Sequence, residues 1–153
     1  VDSYRHALSA SRGSIGDDHQ NTLRVSFNLA QLLVELGGHD NEVEALYRDV
    51  VARGDKQAET LRGALVFWRI TYARFLLERH RAADALAQLA SSDSVDQVKF
   101  ANGRIRADLA AVIRDAAKEV GCEHRTDLAN CVVASEMLRS IGDSGEQSAA
   151  PAP

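Results

Sequence analysis

The chain contains little proline, little cysteine and no long apolar run. The low content or absence of each feature argues against a class of protein. Two prolines among 153 residues, beside 24 alanines, favour helix, because proline breaks helix interiors and alanine forms them best. No run of eighteen apolar residues is present, so we expect no membrane-spanning helix and no membrane partner. The sequence therefore predicts an all-α protein, which we expect to be cytoplasmic.

The two cysteines, Cys122 and Cys131, are too few for a disulfide scaffold. Eight residues separate them, which fits neither a redox pair nor a zinc pair. We predict reduced, buried thiols, because free cysteine usually behaves as a small apolar residue. The five histidines show no zinc-binding spacing on a helix, so we predict no metal and no cofactor.

Basic residues are also fewer than acidic ones. Lysine and arginine number 18 against 22 acidic residues, a net charge of −4, which argues against direct binding of nucleic acid. No phosphate-binding glycine loop and no serine-nucleophile elbow is present, so nothing favours an enzyme. The chain lacks a starting methionine and begins inside a predicted helix, so we expect it to be part of a longer protein.

What the chain does have is apolar residues at helical spacing, interrupted by short polar turns. Asn21 or Thr22 is the expected cap of the second helix, and Gly37-Gly38 its end. Asn41 is the expected cap of the third. The helices predicted over the first 90 residues span 4–13, 23–36, 42–54, 61–79 and 82–89.

Beyond Ser94 the pattern changes to one apolar stripe from Val95 to Val120. It predicts one long helix, or two joined near Asn102-Gly103, and we favour one. Gly121 ends it, and Thr126 caps a last helix that reaches 141. We therefore expect helical repeats over 1–90, a C-terminal helical cap over 91–141 and a disordered tail over 142–153.

The first 90 residues also repeat themselves. Thr22-Leu23-Arg24 returns 38 residues later as Thr60-Leu61-Arg62, and Gly16-Asp17 returns at the same offset as Gly54-Asp55. The repeated unit is a long helix followed by a shorter one. Such pairs cannot bury their apolar stripes alone, so they stack.

One segment carries a family resemblance. Gly16-Asp17-Asp18-His19-Gln20-Asn21-Thr22-Leu23, followed by Asn28-Leu29-Ala30 and Gly37-Gly38, resembles a tetratricopeptide repeat of the kinesin-light-chain-like kind widespread in bacterial regulators. Gln20 stands where that family usually has proline, and in the second copy His80 stands where it usually has glycine. The resemblance implies a right-handed superhelix of antiparallel helix pairs, with extra C-terminal helices covering its end.

In that family the first helix of each pair lines a concave groove that grips a peptide or a partner's helix. Transferring the lining position by position gives two stripes at spacings of three or four. Asn28 would pair with a peptide backbone amide, Arg24 and Arg74 would hold carboxylates, and Phe67 would give apolar contact. The implied groove consists of Arg24, Phe27, Asn28, Gln31, Glu35, Phe67, Ile70, Thr71, Arg74 and Glu78.

Other assignments stay open. The residues of the predicted groove also fit an ordinary solvent-exposed helix face with no ligand. Trp68, Tyr72 and Phe75 share one helix face and are predicted to be core, whereas Phe67 lies off that face. His19 is expected to bond locally within its turn.

We therefore expect a protein–protein interaction module that binds a peptide or partner protein, as a fragment of a larger bacterial regulatory or scaffold protein. A second hypothesis is an intramolecular sensor or autoinhibitory domain, which binds its own neighbouring domain within a transcriptional or nucleotide-switch regulator. A third is a homodimer formed through the helices of 94–141.

Overall fold

The computed structural model describes residues 1–90 and 102–146, with side chains to residue 142. Over these residues the protein is all-α, as predicted, and contains no strand. The helices are α1 (Asp2–Ile15), α2 (Gln20–Leu36), α3 (Asp40–Asp55), α4 (Ala58–Leu77), α5 (Ala82–Leu89), α6 (Gly103–Val120) and α7 (Ala129–Glu146).

The first compact unit, Val1–Trp68, contains α1 to α3 and the first half of α4. Only three residues connect α2 to α3, and the two helices pack along each other, so they form an antiparallel pair. Gly37 ends α2 in a left-handed conformation with φ of 71°, which explains why glycine stands there. The core of this unit includes Leu8, Leu23, Phe27, Leu29, Ala30, Leu33, Val43, Leu46, Tyr47, Val50, Val51, Leu61, Leu65 and Trp68.

Gly54, in the last turn of α3, allows α4 to approach closely. A Cβ atom at this position would lie 2.8 Å from the Leu65 Cδ1 atom and 3.6 Å from the Trp68 ring. Both neighbours are themselves buried. The repeated Gly-Asp at 54–55 therefore coincides with a contact that tolerates no larger side chain without movement of the core.

The second unit begins at Arg69 and contains the rest of α4, with α5, α6 and α7. Within it α5 packs on both α6 and α7, and α6 packs on α7. Gly121 ends α6 with φ of 79°, as its position in the sequence predicted. Small residues make up much of this core, which includes Ala82, Ala85, Leu86, Leu89, Leu109, Ala110, Val112, Ile113, Ala116, Cys131, Ala134 and Met137.

The prediction of one continuous helix over 95–120 is wrong at its N-terminal side. Asn102 has extended backbone, with φ of −68° and ψ of 165°, and its side chain accepts a hydrogen bond from the Ile105 amide. It is therefore an N-cap at which α6 begins, although the apolar spacing runs on past it. Residues 95–101 lie outside the described residues.

Two predicted caps are also corrected. Neither Asn21 nor Thr22 caps α2, because His19 holds that position and its ring nitrogen accepts the Asn21 amide proton. The N-cap of α3 is His39 rather than Asn41, which lies inside the first turn. The last helix continues to Glu146, five residues past its predicted end at 141.

The prediction of two reduced thiols is wrong, because Cys122 and Cys131 form a disulfide. The turn between α6 and α7 brings their Cα atoms to 5.4 Å, a separation that a disulfide spans without strain on the backbone. Sequence spacing alone carries no signal for this pairing, since the turn geometry decides it.

The division between the two compact units falls inside α4, between Trp68 and Arg69. Among the residues described, no helix combines the length and the apolar character needed to cross a membrane.

Candidate functional site

One face of α2 is polar and open to solvent. Arg24, Asn28 and Glu35 are exposed and Gln31 is half-buried, at spacings of four, three and four residues, which places all of them on one side of the helix. We call these four residues the α2 face. From Arg24 to Glu35 it extends about 16 Å along the helix axis.

An aromatic side chain adjoins the α2 face. The ring of Phe67, on α4, lies 5.6 Å from the ring of Phe27, between ring centroids, in a tilted arrangement. Phe27 is only 2% exposed, whereas Phe67 is 45% exposed. Arg24 and Gln31 are the helix-surface neighbours of Phe27, three and four residues away, so the Phe67 ring packs at the edge of the α2 face. The unit thus presents one exposed aromatic ring beside a row of polar side chains.

Phe67 is held from below by a buried aromatic cluster. The Phe27 ring also lies 5.6 Å from Tyr47 and 5.8 Å from Trp68. These tilted pairs at 4.5–7 Å are the arrangements that aromatic rings favour. They join α2, α3 and α4, so the exposed ring rests on a support that three helices fix in place.

The turn before α2 sets where that helix begins. Thr22 is buried, and its hydroxyl donates a hydrogen bond of 2.8 Å to the carbonyl oxygen of Gly16. The His19 Nδ1 atom accepts from the Asn21 amide at 3.2 Å, which confirms the expected local bonding of that histidine. The histidine contact satisfies an amide that the start of α2 leaves without a partner, and the threonine contact ties that start to the C-cap of α1.

Ion pairs attach the same turn to α1 and α3. The Arg53 guanidinium donates to Asp18 Oδ1 and to Asp49 Oδ1, both at 2.7 Å. Arg12 lies 3.2 Å from Asp17 and 3.7 Å from Asp49. The hydrogen bond from Arg53 holds the pKa of the Asp18 carboxyl below its ordinary value of 3.8. The network therefore needs its carboxylates ionised.

At the other end of α1, Arg5 makes a forked contact with Glu42 in the first turn of α3. Its Nε and Nη2 atoms lie 3.1 and 2.8 Å from the two carboxylate oxygens. This hydrogen bonding keeps the pKa of Glu42 below its ordinary value of 4.5. Forked pairs of this kind fix geometry as well as charge. Sequence reasoning missed both networks, because partners 35 to 37 residues apart leave no periodic signal.

The α2 face has the groups needed to recognise a peptide backbone. Among the described residues, the Asn28 carboxamide makes no hydrogen bond within the protein, so its donor and its acceptor both face solvent. Arg24 donates one hydrogen bond of 3.1 Å to Asn21 Oδ1 and keeps further donors for other acceptors. The arrangement suits an extended chain that offers amides, a carboxylate and one apolar side chain.

The charges of α2 are not placed to stabilise the helix. It has no acidic residue in its first turn and no basic residue in its last, where Glu35 lies. By contrast, α3 has Asp40 and Glu42 in its first turn and Arg53 in its last, which matches the helix dipole. The polar residues of the α2 face therefore need a reason other than helix stability.

Two members of the predicted groove are corrected. Phe27 and Ile70 are each only 2% exposed, so they belong to the core and offer no surface to a ligand. Transferring the groove-lining positions of the tetratricopeptide repeat family to this chain selected them because they occupy the edge of the polar stripe. The exposed position of Phe67 agrees with its assignment off the core face, and the predicted burial of Trp68, Tyr72 and Phe75 is confirmed.

The remaining predicted residues lie in the second unit. Arg74 and Glu78 are exposed and Thr71 is half-buried. The Arg74 Nη2 atom lies 3.3 Å from Asp108 Oδ1 on α6, so the chain itself supplies the carboxylate that Arg74 was predicted to hold for a ligand. Sequence reasoning did not identify Asp108 as this partner.

The described residues contain no group of three metal-ligating side chains close enough to hold an ion. Comparison with protein-family models and with curated proteins finds no match to this chain.

Proposed function

We propose that this chain is a protein-interaction module built on tetratricopeptide-like helix pairs, and that it binds an extended segment of a partner protein. The contact surface is the α2 face together with Phe67. The repeated Thr-Leu-Arg and Gly-Asp elements, the antiparallel α2–α3 pair and the all-α fold support the repeat architecture.

The observation that carries the proposal is the exposed Phe67 ring seated on buried Phe27 of α2, the helix whose exposed side presents the unpartnered amide of Asn28. Aromatic side chains dominate binding energy at interfaces when a rigid surround positions them. An amide next to such a ring fixes the register of an incoming backbone by donating and accepting at once. Burying the exposed part of Phe67 would contribute apolar stabilisation at roughly 25 cal/mol per Å².

The binding partner, on this proposal, has an acidic group near Arg24 and a basic group near Glu35, about 16 Å apart. That distance corresponds to about five residues of extended chain. An apolar side chain between the two charges would meet Phe67. The ligand is thus a short extended segment with opposite charges at its ends.

Capture from cell lysate by the immobilised chain tests the proposal, with wild type, Asn28→Ala and Asn41→Ala compared by quantitative mass spectrometry. Asn41 is an exposed asparagine on α3 outside the α2 face, so its variant removes the same chemical group elsewhere. Proteins retained by wild type and Asn41→Ala but lost from Asn28→Ala would support the proposal. Retention of the same proteins by all three, with matched circular dichroism, would contradict it.

A further inference from the structure

The only disulfide among the described residues joins the end of α6 to the first turn of α7. Cys122 follows the left-handed cap Gly121, and its amide donates to the Ala117 carbonyl at 2.9 Å. Cys131 is the third residue of α7 and is 2% exposed. Between them runs a turn whose residues 123–127 are exposed, so the cross-link spans a segment with little packing of its own.

The described part of α7 buries few side chains, and the disulfide includes one of them. Over the part of α7 whose side chains are described, the buried residues are Cys131, Ala134 and Met137. One of the three is thus half of the disulfide, and another is an alanine. α6, a helix of the same length, buries five residues, among them Leu109, Val112 and Ile113. Gly142 lies inside α7 and weakens it, and most of the stability of a helix in a protein comes from packing against its neighbours.

We propose that the Cys122–Cys131 disulfide is a thiol–disulfide switch that controls the docking of α7 on α5 and α6. With the bond intact, Cys131 is tied to the end of α6, and the stripe from Cys131 to Met137 stays in place. With the bond open, two thiols replace it and the unfolded α7 gains the freedom that the closed loop denied it. α7 then leaves its site, and the surface it covered on α5 and α6 becomes accessible.

The chemistry needs a dithiol reductant, which the switch senses. One thiolate of the reductant attacks Sγ of Cys122, because Cys122 is half-buried whereas Cys131 is buried. The S–S bond breaks, and Cys131 leaves as a thiolate and takes up a proton. The second thiolate of the reductant then attacks the reductant sulfur that is bonded to Cys122 in the mixed disulfide. Cys122 leaves as a thiolate and is protonated in turn. Two electrons pass to the protein, and the reductant ends as a disulfide.

Hydrogen–deuterium exchange of the 153-residue chain, followed by mass spectrometry, tests the switch with and without dithiothreitol. Opening a loop of this length is expected to raise the exchange rate of α7 amides by about ten- to a hundredfold. Segments in α2, α3 and α6 should keep their protection. The Cys122→Ala/Cys131→Ala variant, which keeps position 131 apolar, should show fast exchange in α7 whether or not reductant is present.

Two results would overturn the proposal. One is α7 protection that reduction leaves unchanged although thiol labelling confirms two free cysteines. The other is a loss of protection in all helices alike, which would make the bond a general stabiliser rather than a switch for one helix. Neither result bears on the α2 face, whose binding is measured separately.

Discussion

Phe27 and Phe67 lie 5.6 Å apart, yet one ring is buried and the other is 45% exposed. Phe27 is therefore a core residue and Phe67 a surface residue, although both were predicted to line the same groove. Phe27 joins α2 to Tyr47 of α3 and to Trp68 of α4. Phe67 rests on that cluster and presents its outer surface to solvent.

This division predicts losses of stability of very different size from the same substitution at the two positions. Phe27→Ala should lower the free energy of unfolding by about 3–5 kcal/mol, because it removes a buried ring and leaves a cavity among packed aromatics. Phe67→Ala should lower it by less than about 1 kcal/mol, since much of that ring is already in water. Urea denaturation followed by circular dichroism checks both. Equal losses for the two variants would contradict the assignment of Phe67 to the surface.

A second prediction separates stability from binding on the α2 face. Glu35 lies in the last turn of α2, where a negative charge opposes the helix dipole. Glu35→Lys should therefore stabilise the protein, by about 0.3–1 kcal/mol, and raise the melting temperature at low salt. The same change should weaken capture of the partner, because it reverses the charge at one end of the face. A variant that gains stability and binds as wild type would remove Glu35 from the contact surface.

A third prediction concerns His80, the one non-glycine residue with positive φ in the described part of the chain. Its φ of 57° lies in the left-handed region, which costs a residue with a Cβ atom about 1–2 kcal/mol. His80→Gly should therefore stabilise the protein by about 0.5–1 kcal/mol, once the greater unfolded-state freedom of glycine is subtracted.

The control for this position is His80→Ala, which keeps the Cβ atom but removes the ring that lies 3.5 Å from Glu119. It should give no stabilisation, as measured by the melting temperature beside His80→Gly. If alanine stabilises the protein as much as glycine, the backbone conformation is not the source of the gain.

A fourth prediction follows from the low pKa values of Glu42 and Asp18. Since folding lowers both pKa values, the stability these groups contribute is fully present above about pH 4.5 and declines as pH falls through their folded values. Glu42→Gln should lower the melting temperature slightly at pH 7, and the difference from wild type should shrink as pH falls from about 4.5 through the folded pKa of Glu42. Because the Arg5–Glu42 pair is exposed, 0.5 M salt should also reduce the difference in melting temperature between the variant and wild type. A difference in melting temperature that does not shrink at all as pH falls below 4.5 would show that the carboxylate charge is not the cause.

Much of the fold was predictable because helix ends leave local signals. Gly37 and Gly121 stand at left-handed positions, and apolar spacing located the helices between them. The N-caps were less predictable, since His19 uses a ring nitrogen in place of the usual short oxygen side chain. At Asn102 the apolar spacing of the sequence continues across a helix start, and periodicity alone does not reveal the extended backbone of that residue.

The candidate site was only partly predictable, because exposure depends on what packs against a helix. Spacing placed Arg24, Asn28 and Glu35 correctly on the exposed side of α2. It could not distinguish Phe27 from its neighbours on the stripe, since burial of that ring requires α3 and α4. Nor could it place Asp108 beside Arg74, a contact between residues 34 positions apart.

The most direct test of the α2 face uses one peptide, selected from a random library on the immobilised wild-type protein. Its affinity for wild type is compared with its affinity for two variants. Phe67→Ala and Tyr4→Ala each remove a partly exposed aromatic ring, 45% and 41% exposed, and only the first adjoins the α2 face. By fluorescence anisotropy, Phe67→Ala should raise the Kd about tenfold or more, a loss of about 1.4 kcal/mol, while Tyr4→Ala stays within about twofold. A peptide that binds Phe67→Ala as tightly as wild type would contradict the account.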